Sequence, residues 1–286
     1  MNSVSKAASL LSHNPRLLAK ILYANSMNRF GHVPASRLVK AINGVRFEFD
    51  FDYGPQLRKM YFGAYEPLTI EMMSQILKKG DTFLDVGASI GYLSARALGM
   101  VGSTGQVHSF EPVPKDYERL EKLATMNPAY TIVTNRWALG DEEGTLEMDV
   151  TCLPWIGWNT LVPAFMRRDA WKESIPVRIL RLDDYIMERG ADLGNLTLIK
   201  IDTEGFEFPV LRGLRRYFEK GCNLPAILCE INPRAYPLLA MRLAQLTAFM
   251  REMGYDAFSL LNLRQRVDLS KLEQTTDVLF LPEHAN

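Results

Sequence analysis

Residues 80–111 constrain this chain more tightly than any other stretch. Thr82 to Val86 is a short apolar run that carries Asp85 and is closed by Gly87. A run of this length bounded by glycine fits a strand buried on both faces. Beyond Gly87 the period changes, and Ile90, Leu93, Ala97, Leu98 and Val101 recur at helical spacing. The order is therefore strand, tight turn, helix. The helix is expected to begin near Ser89 and to aim free N–H groups into the crevice beside it. Gly87 and Gly91 stand where a side chain would block the turn or a ligand pressed on the backbone. A second apolar strand, Gln106 to Phe110, ends in Glu111, whose carboxylate can accept both hydroxyl protons of a ribose. This is one βαβ half of a nucleotide-binding α/β fold.

Three chemistries use such a turn. A dinucleotide dehydrogenase wants Gly-x-Gly-x-x-Gly, and the second glycine is Ser89 here, which weakens a nicotinamide oxidoreductase. Gly87-Ala88-Ser89-Ile90-Gly91 has the letters of a hydrolase nucleophile elbow. That reading lacks a downstream histidine, since His108 comes too early and His284 lies two residues from the end of the sequence. An S-adenosylmethionine site needs no phosphate cradle. Asp85 and the backbone around Gly87 would hold the methionine end of that ligand, and Glu111 the ribose.

Four segments then carry a resemblance: 85–92 (DVGASIGY), 109–112 (SFEP), 200–207 (KIDTEGFE) and 229–232 (CEIN). In order and spacing they resemble the FkbM family of S-adenosylmethionine-dependent methyltransferases, over about residues 44–282. The resemblance implies a Rossmann-like class I methyltransferase fold and O-methylation of a hydroxyl on a small molecule, glycan or polyketide. It also puts the Tyr-Glu stretch at 65–66 beside the cofactor, which makes Glu66 a contact candidate. Ser89 stands where many relatives carry Asn, and both side chains can hydrogen-bond. A binding module that keeps the fold without activity is the alternative, since a fold alone does not guarantee chemistry.

Charge is balanced at 33 basic and 33 acidic residues, which gives the molecule as a whole no electrostatic attraction to nucleic acid. The balance is uneven along the chain. Residues 1–47 hold Lys6, Arg16, Lys20, Arg29, Arg37, Lys40 and Arg46 and no acid. This segment reads as a helical extension over 1–43, packed on the methyltransferase domain at 44–286. Its basic face leaves a contact with a membrane surface, an acidic carrier or a partner subunit open. Cys152, Cys222 and Cys229 suit neither a disulfide framework nor zinc, and fit reduced thiols of a cytoplasmic protein. No apolar run reaches the length of a membrane span.

The rest of the chain predicts a mostly parallel seven-stranded sheet with helices on both faces. Residues 45–52 alternate as a half-buried strand. Pro67 opens a helix that runs to Leu77, and a further helix covers 115–126. After the third core strand at 131–134, Trp137 and Ala138 fall where an adenine would slot, with core packing the competing reading of Trp137. Strands at 145–150 and 177–182 bracket a loop rich in Trp and Pro. Trp155 and Trp158 would wall an acceptor there, and Asn159 and Thr160 would bond its hydroxyls, unless the tryptophans merely plug the loop. The fourth strand ends in Asp202-Thr203-Glu204-Gly205, and the fifth carries Glu230. Helices at 207–218 and 238–253 and an antiparallel pair at 255–261 and 278–281 complete the pattern.

The cofactor site is thus expected from Asp85, Gly87, Ala88, Ser89, Gly91, Tyr92, Glu111, Pro112, Trp137 and Ala138. Asp202 is either the partner of the cofactor's amino group or the catalytic base, and the first role is favoured because a carboxylate tied to an ammonium is a poor base. Glu204 or Glu230 is then the base, with loop capping the other reading of Glu230. Asp202, Glu204 and Glu230 could supply some oxygen ligands to a metal, but no motif demands one.

Overall fold

A computed structural model describes residues 10, 12–152, 157–166, 169–187, 193–220 and 224–283. The chain opens with α1 (Pro15–Phe30), which begins on an Asn14 side-chain cap with proline in its first turn. Strands β1 (Arg37–Ile42) and β2 (Val45–Asp50) then pair antiparallel. The helical reading of residues 1–42 is therefore corrected at 37–42. Asn43-Gly44 has positive φ at both positions (51° and 87°), as a two-residue hairpin turn requires, and Val45–Asp50 finds its partner in the segment just before it.

Helices α2 (Pro55–Phe62) and α3 (Pro67–Ile76) lead into β3 (Thr82–Val86), α4 (Tyr92–Val101), β4 (Gln106–Phe110), α5 (Pro114–Met126) and β5 (Thr131–Asn135). A small sheet follows, with β6 (Ala138–Gly140), β7 (Gly144–Thr151) and β8 (Trp171–Arg181) in the order β6-β8-β7. The chain then returns through α6 (Leu182–Met187), β9 (Leu196–Ile201), α7 (Glu207–Arg212), α8 (Arg215–Glu219) and β10 (Ala226–Ile231). It ends with α9 (Leu243–Glu252), β11 (Tyr255–Ser259), β12 (Asn262–Arg266) and β13 (Thr276–Pro282).

The main sheet has the order β12-β11-β13-β10-β9-β3-β4-β5. From β10 to β5 every neighbour is parallel, while β13 runs antiparallel to both β10 and β11. The α/β fold class holds, but the sheet has eight strands rather than seven. The extra one, β12, is an exposed edge strand of sequence NLRQR, so it shows no apolar alternation. Two single helices expected from periodicity are also interrupted. Gly213 separates α7 from α8: its carbonyl accepts from Asp183 N at 2.9 Å, outside the helix, and a Cβ there would lie 2.0 Å from the Gly140 carbonyl oxygen. Residues 236–239 form a 3₁₀ turn before α9.

Successive strand residues point to opposite faces and bury two apolar layers. Phe83, Val107, Leu198 and Leu228 pack with α3, α4, α5 and β2. Leu84, Val86, Ile199, Ile201 and Ile227 pack with α7, α9 and the small sheet. Besides apolar packing and the ion pairs Arg119–Asp50 and Lys122–Glu48, one amide side chain ties the β1–β2 hairpin to the first layer. Asn127, after α5, accepts from Arg46 N at 2.8 Å and donates to Arg46 O at 2.8 Å, as a paired strand would. Asn127→Ala leaves both backbone groups and the Arg46 edge without partners, and is expected to cost about 2–3 kcal/mol in denaturant unfolding. A loss below about 0.5 kcal/mol would show that the hairpin docks without this amide.

Candidate active site

The strand order reverses between β3 and its two neighbours, β4 and β9, so their carboxyl ends enclose a crevice. Its floor is backbone against backbone. Asp202 N donates to Val86 O at 3.0 Å, and a Cβ on Gly87 would lie 1.8 Å from the Asp202 carbonyl oxygen. Only glycine fits there, at φ 81°.

The turn after β3 is held from the side of β4. Gly87 N and Ala88 N both donate to Phe110 O, at 3.1 and 2.9 Å. Ser89 N donates to Glu111 Oε2 at 2.9 Å, and Val113 N to Glu111 Oε1 at 2.8 Å. The N–H groups of residues 87–89, expected to be free for a ligand, are thus spent on the fold. Helix α4 starts at Tyr92 rather than near Ser89. Glu111 is buried, and burial pushes its carboxyl up to about 8, with Asp116 adding to the rise and the two backbone donors opposing it.

Asp85 lies behind this turn rather than in the crevice. Its carboxylate accepts from Ser94 Oγ at 2.5 Å, in the first turn of α4, and burial raises it to about 6. Tyr92 donates to Met60 O at 3.0 Å, also away from the crevice. Gly91 serves packing, because a Cβ there would approach Leu120 Cδ1 to 2.9 Å. Ala88 is buried in the same layer. These four positions shape the turn from beneath.

The crevice itself is lined by Gly87, Ser89, Glu111, Pro112, Trp137, Ala138, Asn159, Asp202 and Glu204. Trp137 lines the crevice and also packs edge-on against Tyr185, with ring centroids 6.4 Å apart. Apolar walls from Met148, Leu161 and Phe206 were not foreseen. They belong to the small sheet and the turns that pack on it, and no local motif marks them.

The segment around the crevice mouth is held by its own polar groups. Asn159 Oδ1 accepts from Thr151 N at 3.0 Å, and its amide donates to Asp116 Oδ2 at 3.1 Å. Thr160 is buried, with its hydroxyl donating to Glu204 O at 2.7 Å and accepting from Val162 N at 3.0 Å. The Thr160 hydroxyl expected to meet an acceptor instead orients the Glu204 backbone. Trp158 is 42% exposed, and Trp155 lies outside the described residues.

Asp202, Glu204 and Glu230 converge, with one carboxylate oxygen from each within 4.8 Å of the others. Beneath them lies Lys200, which is fully buried, with Nζ 3.1 Å from Asp202 Oδ2 and 3.9 Å from Asp277 Oδ1. Burial alone would lower this ammonium, but Asp202, Glu66 and Asp277 hold it well above its ordinary value. Burial raises Glu230 to about 11, with Asp202 and Glu204 adding to it, and lifts Glu204 well above the carboxylate range. Glu66, at the start of α3 with φ 41°, is raised by burial to about 7, and its Oε2 is buried without a hydrogen-bond partner. Lys200 carried no expected role, although it sits inside the quoted 200–207 segment.

The site is therefore a glycine-floored crevice lined by the buried Glu111 carboxyl and by Asp202 and Glu204 of an acidic cluster. The sequence pattern of the FkbM methyltransferase domain matches residues 85–257, which spans every strand end just described. The chain belongs to the FkbM methyltransferase family. Members transfer methyl groups from S-adenosylmethionine, and the residues present fit that ligand. The buried Glu66 Oε2 lacks a donor that an ammonium would supply, and the converging carboxylates of Asp202, Glu204 and Glu230 suit a cationic ligand. No curated protein matches the chain. Among solved structures it is similar to Aeropyrum pernix fibrillarin with natively bound S-adenosyl-L-methionine, at 12% identity, covering 88% of this chain and 85% of that one, with a TM-score of 0.43. It is also similar to an S-adenosylmethionine-dependent O-methyltransferase from Thermotoga maritima, at 13% identity, covering 76% and 64%, with a TM-score of 0.39.

The raised carboxyl of Glu111 sets a pH signature for this FkbM-family chain. Between its ordinary value of 4.5 and about 8, the folded protein keeps a proton that the unfolded chain releases. Stability contributed at this site therefore falls as pH rises through that window. Glu111→Gln is expected to gain relative to wild type from pH 5 to 8, by up to about 1.4 kcal/mol per pH unit in urea unfolding. A difference that does not change with pH would contradict the burial argument.

Proposed function

We propose that this methyltransferase acts on a hydroxyl group of a small molecule, glycan or polyketide. The observation that carries the proposal is the carboxylate cluster of Asp202, Glu204 and Glu230, two of which line the crevice. An alcohol must lose its proton during transfer, and a placed carboxylate can take it. When bound, S-adenosylmethionine supplies an activated methyl group on a sulfonium.

The chain's own residues align and shield that group. Glu111 accepts the ribose hydroxyls on the lone pairs that Ser89 and Val113 leave open. Trp137 and Ala138 flank the adenine, and Pro112 walls the same end. Gly87 and Ser89 border the methionine end. Asp202, held in place by Lys200, meets the ammonium, with Glu66 behind it. Met148, Leu161 and Phe206 add an apolar lining that keeps water from the crevice.

Burial raises both Glu204 and Glu230, which favours their neutral forms, and positive charge nearby opposes that rise. When bound, S-adenosylmethionine would add positive charge beside these carboxylates and so favour their base forms. Either carboxylate suits the role, and Thr160 fixes the backbone that carries Glu204.

The test is methyl-label transfer to fractionated small molecules and glycans, with Glu204→Gln and Glu230→Gln run beside wild type. Loss of the base is expected to lower kcat by about 10²–10⁴ in one of the two while S-adenosylmethionine affinity stays within a few fold. Full turnover in both variants, or label found on nitrogen or carbon of the product, would refute O-methylation by this cluster.

A further inference from the structure

The surface of α1 has a feature that the cofactor crevice does not explain. Leu22, Tyr23 and Phe30 are 60%, 68% and 77% exposed, while Leu17 and Ala24 of the same helix are buried. Isolated exposed apolar residues are ordinary, but three large ones on one short helix form a patch. Arg16, Lys20, Tyr23 and Phe30 recur at spacings of three, four and seven, so they share one face of the helix. Leu22 and Arg29, seven apart, lie together on another line, and the Arg29 guanidinium sits 5.3 Å from the Phe30 ring centroid. Lys20 reaches Glu71 on α3 only at 4.0 Å, with its side chain 74% exposed.

We propose that this face of α1 docks on an anionic phospholipid surface. Charge complementarity selects the occupant. The first 47 residues hold seven basic residues and no acid. A second copy of the chain would bring like charges together, whereas an anionic bilayer attracts them. The mixture also suits lipid, with aromatic and aliphatic side chains to enter the headgroup boundary and long cationic ones to stay at its rim. Among the described residues no helix is long and apolar enough to cross a membrane, so the contact is peripheral.

The helix is positioned to transmit that contact to the crevice. Arg58 of α2 donates to Asn28 O at 2.7 Å and to Gly31 O at 2.5 Å, which fixes the end of α1 to α2. The segment between α2 and α3 then carries Glu66 to the acidic cluster. Docking of α1 therefore acts on the element that leads to Glu66.

The test is co-sedimentation of the full chain with vesicles of phosphatidylcholine alone or phosphatidylcholine mixed with phosphatidylglycerol. Binding is expected to the mixed vesicles, to weaken as salt rises, and to be at least tenfold weaker with phosphatidylcholine alone. Replacing Arg16, Lys20 and Arg29 together by Gln is expected to weaken it by about 100-fold. Replacing Leu22, Tyr23 and Phe30 by Ser is expected to weaken it at least tenfold. S-adenosylmethionine binding should be unchanged in both variants, which shows that they fold. Failure of wild type to bind mixed vesicles, or full binding by the charge-stripped variant, overturns the proposal. So does a wild-type dimer that the serine variant converts to monomer, or capture only of an acidic protein.

Discussion

The close approach of two strand ends underlies everything else. At the foot of the crevice the Gly87 backbone rests on the Asp202 carbonyl, leaving no room for even a methyl group. That contact sets how near β3 and β9 run beyond their last paired residues, Val86 and Ile201. It also sets how deep a ligand can sit between the β3 and β9 ends. The opposite wall is equally determined. One carboxylate, Glu111, gathers a donor from the turn after β3 and a donor from the loop after β4. The crevice is thus organised by the protein before a ligand enters, which spares the ordering cost at binding.

Charge is the second constraint. Asp202, Glu204, Glu230, Glu66 and Asp277 surround one buried ammonium, that of Lys200. Burial raises the carboxyls of Glu66, Glu204 and Glu230, and the shortage of positive charge among so many acids adds to the rise. Burying unpaired charge is costly, and protonation is the escape. A ligand with a sulfonium and an ammonium relieves the same imbalance without protons. The proposed chemistry and the electrostatics of the free protein are two views of this one deficit.

The core was readable because its signals are local. Thr82–Val86, Gln106–Phe110 and Leu196–Ile201 are continuous apolar runs, and the structure places strands on those bounds. Glu111 and Asp202 follow the last residues of two of them, so topology alone brings both to the crevice. Elements whose identity depends on distant partners were not readable. The Arg37–Ile42 strand has little apolar pattern and exists because the Asn43-Gly44 turn folds it onto β2. Helix α7 ends where Gly213 meets Gly140, a contact between residues 73 positions apart. In the site, Asp85 and Tyr92 carry the right letters but turn inward, toward Ser94 and Met60. Lys200 was hidden by the opposite route, since a lysine within an apolar strand gives no sign that it is buried until its neighbours' charges are placed around it.

The most direct measurement is a crystal structure of the protein with S-adenosylmethionine bound. The account predicts the ribose hydroxyls on Glu111, the adenine beside Trp137 and Ala138, and the ammonium between Asp202 and Glu66. A cofactor whose ribose lies away from Glu111, or whose ammonium avoids the acidic cluster, would contradict it.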